Sequence, residues 1–221
     1  MAELGETLFI LKRMELIFDI GANKGSTVDF YKNYAKKVVC FEPNPNLVST
    51  LKSRFENSNV IVDSRGLSNI VGKKKFMISN ADTISTFSES WVNNSRFSDS
   101  YKWNEGITVE TTTLDSILNE YGIPDFIKID VEGYEYEVLL GLNVLLENTV
   151  FAFEWAEEQF DGVQKSVKHL QNVGYNNFAF IYGDSPSLGN NLEYKSWEEL
   201  EINNDIIPSR KNKWGMIYFK K

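Results

Sequence analysis

The sequence predicts an α/β fold: a mostly parallel, seven-stranded sheet with helices on both faces and an antiparallel terminal strand. Three observations support this prediction. Short apolar runs alternate with segments of helical periodicity over most of the chain. The first run, residues 16–18, ends in Asp19 and is followed at once by Gly21 and Gly25, as in the first strand-to-helix turn of nucleotide-binding sheets. The last two apolar runs have the character of a hairpin-type pair joined by a long connection.

The expected elements follow in chain order. Strands are expected at residues 16–18, 37–41, 59–62, 125–130, 150–155, 178–183 and 214–221, and helices at residues 26–34, 45–55, 114–121, 132–146 and 162–173. Asn44 is the expected N-cap of the second helix, with Pro45 at its first position. Gly122 and Gly174 are expected to end the third and fifth helices.

Residues 72–112 interrupt the alternation of strands and helices. The segments 73–79 and 107–114 are rich in β-branched or apolar residues and are expected to be half-exposed strands. The polar stretch between them is long, and long loops in compact domains are usually functional lids or disordered. We therefore expect a β-hairpin insertion that carries a lid over the site.

Composition excludes several classes of protein. At 221 residues the chain is expected to form one domain over residues 1–221, with residues 1–15 as an N-terminal arm. The formal net charge of −8 disfavours a nucleic-acid partner, because no basic stripe is available to neutralise phosphates. Cys40 is the only cysteine, which excludes an internal disulfide and a cysteine-based zinc site and indicates a buried, inert thiol.

The sequence also indicates a location. No apolar run approaches the roughly 20 residues of a membrane span. The apolar residues 8–11 precede two basic residues, which is opposite to the order in a signal peptide. A cytoplasmic protein is therefore expected.

The glycine turn is expected to bind a ligand with a positively charged end. It has the spacing G-x-x-x-G instead of the G-x-G-x-x-G that binds pyrophosphate dinucleotides. Asp19 would also lie unfavourably close to a diphosphate, whereas its carboxylate suits the amino-acid part of S-adenosylmethionine. A glycine-rich turn without a ligand stays open as the alternative.

Glu42 ends the second expected strand, 21 residues after Gly21. An acidic residue about 20 residues past the glycine turn can accept hydrogen bonds from both hydroxyls of a ribose. It would repel a 2′-phosphate, which argues against NADP. The alternative is an acid that stabilises the N-terminus of the next helix.

Three charged residues, Lys128, Asp130 and Glu132, follow one another at the end of the fourth parallel strand. Burying them near the centre of a sheet is unfavourable unless they pair or contact a ligand. Asp130 is expected to lie near the methylene–sulfonium end of the cofactor. The alternatives are that Glu132 caps the following helix and that Lys128 neutralises Asp130.

The fifth strand ends in Glu154, a further candidate general base, and Trp155, whose ring could stack on a sugar. The alternative for Glu154 is an ordinary acid at a strand end. His169 falls on the polar side of an expected helix and is interpreted as a solvated surface residue. No metal is expected, since no His/Asp ligand spacing is visible.

Five segments together resemble the FkbM family of S-adenosylmethionine-dependent methyltransferases. They are FDIGANKG, VVCFEPNP, RGLSN, TLDS and FIKIDVEGYEYEVLLG, in the family's order and spacing over about residues 16–154. The resemblance implies a Rossmann-like class I methyltransferase fold and methyl transfer to an oxygen, commonly a hydroxyl of a sugar or polyketide-type molecule. Family members often carry alanine where Gly66 stands, a minor departure.

The resemblance also implies roles for individual residues. The implied cofactor-binding residues are Asp19, Gly21, Ala22, Asn23, Gly25, Ser26, Glu42, Pro43, Gly66, Leu67 and Asp130. Asp130, Glu132 and Glu154 are the candidate catalytic residues, and Ser85, Thr86, Lys128 and Trp155 are the candidate substrate-binding residues.

The leading hypothesis is thus an S-adenosylmethionine-dependent O-methyltransferase that acts on a sugar hydroxyl, such as that of rhamnose or fucose. Three alternatives stay open: an acceptor that is another small molecule or a peptide, a non-catalytic cofactor-binding domain of a larger glycan-building protein, and an NAD-dependent oxidoreductase.

Overall fold

The computed structural model describes residues 13–183, 186–202 and 213–221, and all but three residues of the expected N-terminal arm lie outside this part. The strands are β1 (Met14–Ile20), β2 (Ala35–Phe41), β3 (Val60–Asp63), β4 (Gly66–Leu67), β5 (Gly72–Phe76), β6 (Ile107–Thr112), β7 (Phe126–Ile129), β8 (Val150–Ala156), β9 (Asn177–Tyr182) and β10 (Trp214–Lys220). The helices are α1 (Ser26–Tyr31), α2 (Pro45–Arg54), α3 (Glu89–Asn94), α4 (Leu114–Tyr121), α5 (Glu135–Leu139), α6 (Phe160–Val173) and α7 (Trp197–Ile202). Among the described residues, no helix combines the length and the apolar composition that crossing a membrane requires.

Seven strands form the main sheet in the order β3-β2-β1-β7-β8-β10-β9. β3, β2, β1, β7 and β8 are parallel, and β10 is antiparallel to both of its neighbours. The predicted fold class is confirmed. The antiparallel strand is the last in the chain but lies inside the sheet, because it pairs with β8 on one side and with β9 on the other, and its residues 215–219 are all buried.

The strand order reverses beside β1, since the chain builds β2 and β3 on one side and then crosses to β7 on the other. Helices α1 and α2 contribute to the apolar cluster on one face of the sheet, and α4, α5 and α6 contribute to the cluster on the other. In open α/β sheets, ligands bind outside the carboxyl ends of the strands at such a reversal. The sheet therefore places the expected site at the ends of β1, β2 and β7.

Strands β4, β6 and β5 form a separate small sheet. β5 and β6 pair as antiparallel strands, as expected for residues 72–112. The connection between them contains a 3-10 turn (Asp82–Ile84) and α3. Trp91 of α3 is buried, and a Cβ atom added to Gly133 would lie 2.8 Å from its ring. The insertion is thus packed against the chain that follows β7.

The helix expected over residues 132–146 is much shorter in the structure, and the prediction of its bounds is wrong. The backbone after β7 turns through left-handed conformations at Glu132 (φ 58°) and Gly133 (φ 79°), so α5 begins only at Glu135. Leu142 is buried as expected although it lies after the helix, whereas Leu145, which was also expected to face inward, is only half-buried. Apolar spacing alone did not distinguish a helix from turns that direct the same side chains into the core.

Candidate functional site

A cavity of about 580 Å³ lies at the carboxyl ends of β1, β2 and β7. Its walls include most of the predicted site residues: Gly21, Ala22, Asn23, Ser26, Glu42, Pro43, Gly66, Leu67, Ser85, Lys128, Asp130, Glu132 and Glu154. Four predicted site residues, Asp19, Gly25, Thr86 and Trp155, are not part of these walls.

The turn after β1 forms the floor of the cavity. Gly21 has a φ of 83°, and a Cβ atom there would lie only 1.7 Å from the carbonyl oxygen of Asp130. Only glycine permits this approach, which brings the turn against the end of β7. Gly25 also has a left-handed conformation and lies against Leu51 and Phe55 of the neighbouring helix segment, and its cofactor contact stays a prediction.

Glu42 is held in place at the end of β2. Its Oε2 accepts a hydrogen bond from the backbone N–H of Asn23 (2.8 Å), and its Oε1 accepts one from the N–H of Asn44 (2.8 Å). Burial raises the pKa of Glu42 to about 7, although both backbone amides oppose the shift. A carboxylate has about four lone-pair sites, so these two bonds leave acceptor capacity for the hydroxyls of a ligand.

Asp19 and Lys128 lie beside each other because β1 and β7 pair in parallel with residue 19 opposite residue 128. The Lys128 Nζ is 2.9 Å from Asp130 Oδ2 and 3.9 Å from Asp19 Oδ1, and the Thr27 hydroxyl donates to Asp19 Oδ2 (2.5 Å). Asp19 is 0% exposed and is not part of the cavity walls, and its contact with the methionine end stays a prediction. Two carboxylates raise the pKa of Lys128 against the effect of burial.

Three carboxylic acids, Asp130, Glu132 and Glu154, line the cavity, and a fourth, Glu135, lies next to Asp130 and Glu154. Burial, reinforced by the charge of Asp130, raises the pKa of Glu132 and Glu154 well above the usual range. Burial also raises the pKa of Glu135 to about 7, against a hydrogen bond that its Oε1 accepts from the N–H of Val131 (2.9 Å). Buried acids with raised pKa values are typical of groups that accept or donate protons.

Glu135 was missed by the sequence interpretation, because position 135 was expected to lie inside a helix that began earlier. Oxygens of Asp130, Glu135 and Glu154 lie within 4.8 Å of one another, a separation at which they could share a cation. The expectation that the protein uses no metal stays a prediction.

Glu132 adopts a left-handed backbone conformation that is uncommon for residues other than glycine and asparagine. The Thr86 hydroxyl donates a hydrogen bond to the Glu132 carbonyl oxygen (2.8 Å), and Thr86 is fully buried. Thr86 therefore positions Glu132, and its contact with a substrate stays a prediction. Ser85 does line the cavity, where its Oγ accepts a hydrogen bond from the N–H of Ser79 (3.1 Å).

The aromatic side chains are not arranged as the sequence suggested. Trp155 borders a second cavity, but its ring is 1% exposed and packs against Phe180 and Tyr182, which leaves no face for a sugar. This contradicts the predicted stacking. Aromatic rings from the insertion, among them Phe87 and Trp91, line the first cavity instead.

His169 lies on α6, away from the cavity walls. It is half-buried, and its Nε2 lies 2.8 Å from the carbonyl oxygen of Leu142. The residue is thus less solvated than predicted, and its position excludes it from proton transfer in the cavity.

Comparisons with known proteins identify the family. A family model described as the methyltransferase FkbM domain matches residues 19–180. The hexuronic acid methyltransferase AglP of Haloferax volcanii is 29% identical over 142 residues, which are 62% of this chain and 54% of AglP. The chain thus spans about half the length of this relative.

A solved structure has the same fold. The methyltransferase FkbM from Methylobacillus flagellatus KT superposes with a TM-score of 0.54 at 14% identity, covering 94% of this chain and 43% of that one. The family match includes the turn at Gly21, the end of β2 and the acids after β7. The chain belongs to the FkbM family of methyltransferases.

Proposed function

We propose that the protein transfers a methyl group from S-adenosylmethionine to a hydroxyl oxygen of a sugar. The observation that carries this proposal is the cavity at the ends of β1, β2 and β7, where the Gly21 turn, Glu42 and a group of buried acids face the same space. The similarity to a hexuronic acid methyltransferase supports a carbohydrate acceptor. Neutral deoxyhexosides such as those of rhamnose and fucose are the acceptors to test first.

The residues of the cavity fit S-adenosylmethionine. Glu42 would hold the ribose, and Gly21 with Asn23 and Ser26 would hold the methionine end. A Cβ atom at Gly66 would lie 2.4 Å from the Phe87 ring, so that ring packs directly on the backbone of residue 66. Gly66, Leu67 and Phe87 line the cavity together and would give the adenine ring an apolar surface.

The acidic end of the cavity suits the reacting centre. When bound, S-adenosylmethionine supplies a methyl group on a cationic sulfur and leaves as the neutral thioether once the methyl is on the acceptor oxygen. The carboxylate of Asp130 would favour that cation. Glu154 would take the proton from the acceptor hydroxyl, a contribution typically worth about 10²–10⁴-fold in rate. Holding acceptor and donor in line would supply much of the remainder.

The substitution Glu154→Gln tests the proposal. We expect turnover to fall by about 10²–10⁴-fold, because the hydroxyl loses its proton acceptor. The affinity for S-adenosylhomocysteine should change little, because Glu154 is not among the residues assigned to the ribose or methionine end. Turnover is measured with isotopically labelled S-adenosylmethionine and a panel of glycosides, and affinity by calorimetry.

Glu147→Gln is the matched control, since Glu147 is an exposed acid whose ion pair is with Lys221. It should leave both quantities unchanged. The proposal fails if the protein binds NAD and not S-adenosylhomocysteine, or if Glu154→Gln retains full turnover.

A further inference from the structure

A second cavity, of about 610 Å³, adjoins the first. Phe87, Trp91 and Glu154 line both cavities. The remaining walls of the second come from α3, α5, the end of β8 and the start of α6. Because Glu154 belongs to both cavities, a molecule in the second would reach the proposed reacting centre from the side opposite the ribose end. We call this second cavity the acceptor chamber.

The chamber is strongly acidic. Its walls include Glu89, Glu135, Glu137, Glu154, Glu157 and Asp161, whereas Lys165 is the one basic side chain among the described residues that line it. Arg96 does not balance this charge, because it already forms a two-pronged ion pair with Glu158, with Nε–Oε1 at 2.8 Å and Nη2–Oε2 at 3.1 Å.

Trp91 lies in the wall shared by the two cavities and is 2% exposed, and its indole Nε1–H has no hydrogen-bond partner among the described residues. Buried donors are normally paired, so this group would gain from an acceptor that reached it. Carboxyl groups that exchange hydrogen bonds with hydroxyls are, together with flanking aromatic rings, suited to a sugar.

The charge of the chamber restricts which sugar it receives. We propose, on the basis of the methyl transfer proposed above, that the acceptor is a sugar without a negative charge, either neutral or carrying an amino group. A uronic acid would place a carboxylate near Glu89, Glu157 and Asp161 with a single lysine to offset them, whereas Glu135, Glu137 and Glu154 have raised pKa values and carry less of the negative charge. Two like charges about 6 Å apart at an effective dielectric constant of 20 repel enough to weaken binding by roughly 100-fold. The protein would then differ in acceptor from its hexuronic acid-methylating relative.

The test compares matched methyl glycosides that differ at one position: a neutral hexoside, its 6-carboxylate and its 2-amino analogue, in the gluco, galacto and manno series. S-adenosylhomocysteine binding is measured first by calorimetry, so that failure of the cofactor site is recognised separately. For each sugar, kcat/KM is then measured with labelled S-adenosylmethionine, and binding is measured with S-adenosylhomocysteine present. We expect kcat/KM for a neutral or amino sugar to exceed that of its uronide by about 100-fold.

Variants that remove charge from the chamber test whether its acidic residues cause the preference. Replacing Glu137 and Glu157 by Gln and Asp161 by Asn should reduce the ratio of kcat/KM for the neutral sugar to kcat/KM for its uronide by about tenfold. The control variant replaces the exposed acids Glu56, Glu147 and Glu193 by Gln and has the same change in net charge. The control variant should leave the ratio of the two kcat/KM values unchanged.

Three results would overturn the inference while leaving cofactor binding intact. The first is a preference for a uronide. The second is methylation of a uronide only when Mg²⁺ is added and not with EDTA, which would mean that the acids hold a cation that receives the carboxylate. The third is that no sugar in the panel is bound or methylated.

Discussion

Lys128 carries a positive charge in the middle of the sheet, where it is 3% exposed. A buried ammonium group is stable only when carboxylates surround it, and here Asp19 and Asp130 do so from β1 and from the end of β7. The ammonium group of Lys128 in turn stabilises the two carboxylates. Lys128 is therefore expected to stabilise the β1–β7 contact. It also lines the cavity, and its role in substrate binding stays a prediction.

Replacing Lys128 by Met should lower the free energy of unfolding by about 3–5 kcal/mol, because the change leaves two buried carboxyl groups without their counter-ion. Urea denaturation at neutral pH measures the effect. Lys36→Met is the control, since Lys36 forms an exposed ion pair with Glu15 and its loss should cost less than about 1 kcal/mol. Equal effects of the two substitutions would contradict the structural role of Lys128.

Single residues show how far the sequence could predict the site. Alternation along β7 correctly placed Lys128 and Asp130 together, and the 21-residue spacing brought Glu42 to the same cavity. The pattern did not reveal which face of β1 would be covered, so Asp19 was assigned to the cavity although it is buried. It also did not reveal that β9 would cover Trp155, because the pairing of β10 between β8 and β9 depends on contacts that are distant in sequence.

At the scale of an element, the turn between β1 and α1 depends on one glycine. Gly21 combines a positive φ with the approach of the Asp130 carbonyl, so any side chain there meets backbone that cannot move without displacing β7. The turn and the acids after β7 therefore form one unit, although more than 100 residues separate them.

Gly21→Ala should lower the free energy of unfolding far more than Gly183→Ala and should abolish cofactor binding. Gly183 has a similar φ of 74° but open space around its Cβ position, so alanine there carries only the backbone strain of about 1–2 kcal/mol. The difference between the two variants isolates the steric conflict with β7. Thermal unfolding and calorimetry with S-adenosylhomocysteine measure the two effects, and similar losses in both variants would contradict this account.

The insertion shows the limits of prediction for whole elements. Its two outer strands were visible in the sequence because β-branched residues recur in them. Helix α3 was not, because it is short and lies in a polar stretch, although Ser88 caps it by accepting a hydrogen bond from the N–H of Trp91 (3.1 Å). Short helices of this kind owe their stability to tertiary packing, here the burial of Trp91, which no local pattern reports.

At the scale of the whole molecule, several acidic side chains are buried in a protein that already has a negative net charge. Burial raises the pKa of Glu42 and Glu135 to about 7, and it raises the pKa of Glu132 and Glu154 well above the usual range. A carboxyl group whose pKa is higher in the folded state binds more protons when folded than when unfolded. The folded state is then favoured at low pH, and this contribution is lost as pH rises through the folded-state pKa. Stability should therefore decrease from mildly acidic to mildly alkaline pH.

Glu42 makes this dependence measurable. Its pKa rises from 4.5 to about 7 on folding, so between about pH 5 and pH 8 the wild-type protein should lose about 2–3 kcal/mol of stability relative to Glu42→Gln, which cannot ionise. The quantity to compare is the change with pH and not the stability at one pH, because glutamine also alters the hydrogen bonds with Asn23 and Asn44. Chemical denaturation of both proteins at a series of pH values measures how the free energy of unfolding changes with pH.

Glu147→Gln provides the reference, since Glu147 is exposed and its substitution should leave the slope of stability against pH as in the wild type. Saturation with S-adenosylhomocysteine should flatten the wild-type curve at high pH if the ribose hydroxyls donate to the ionised Glu42, because the ligand then favours the charged form in the folded state. A wild-type curve parallel to that of Glu42→Gln would mean that the buried carboxyl group is ionised over the whole range. The two backbone amides would then outweigh the burial of the side chain.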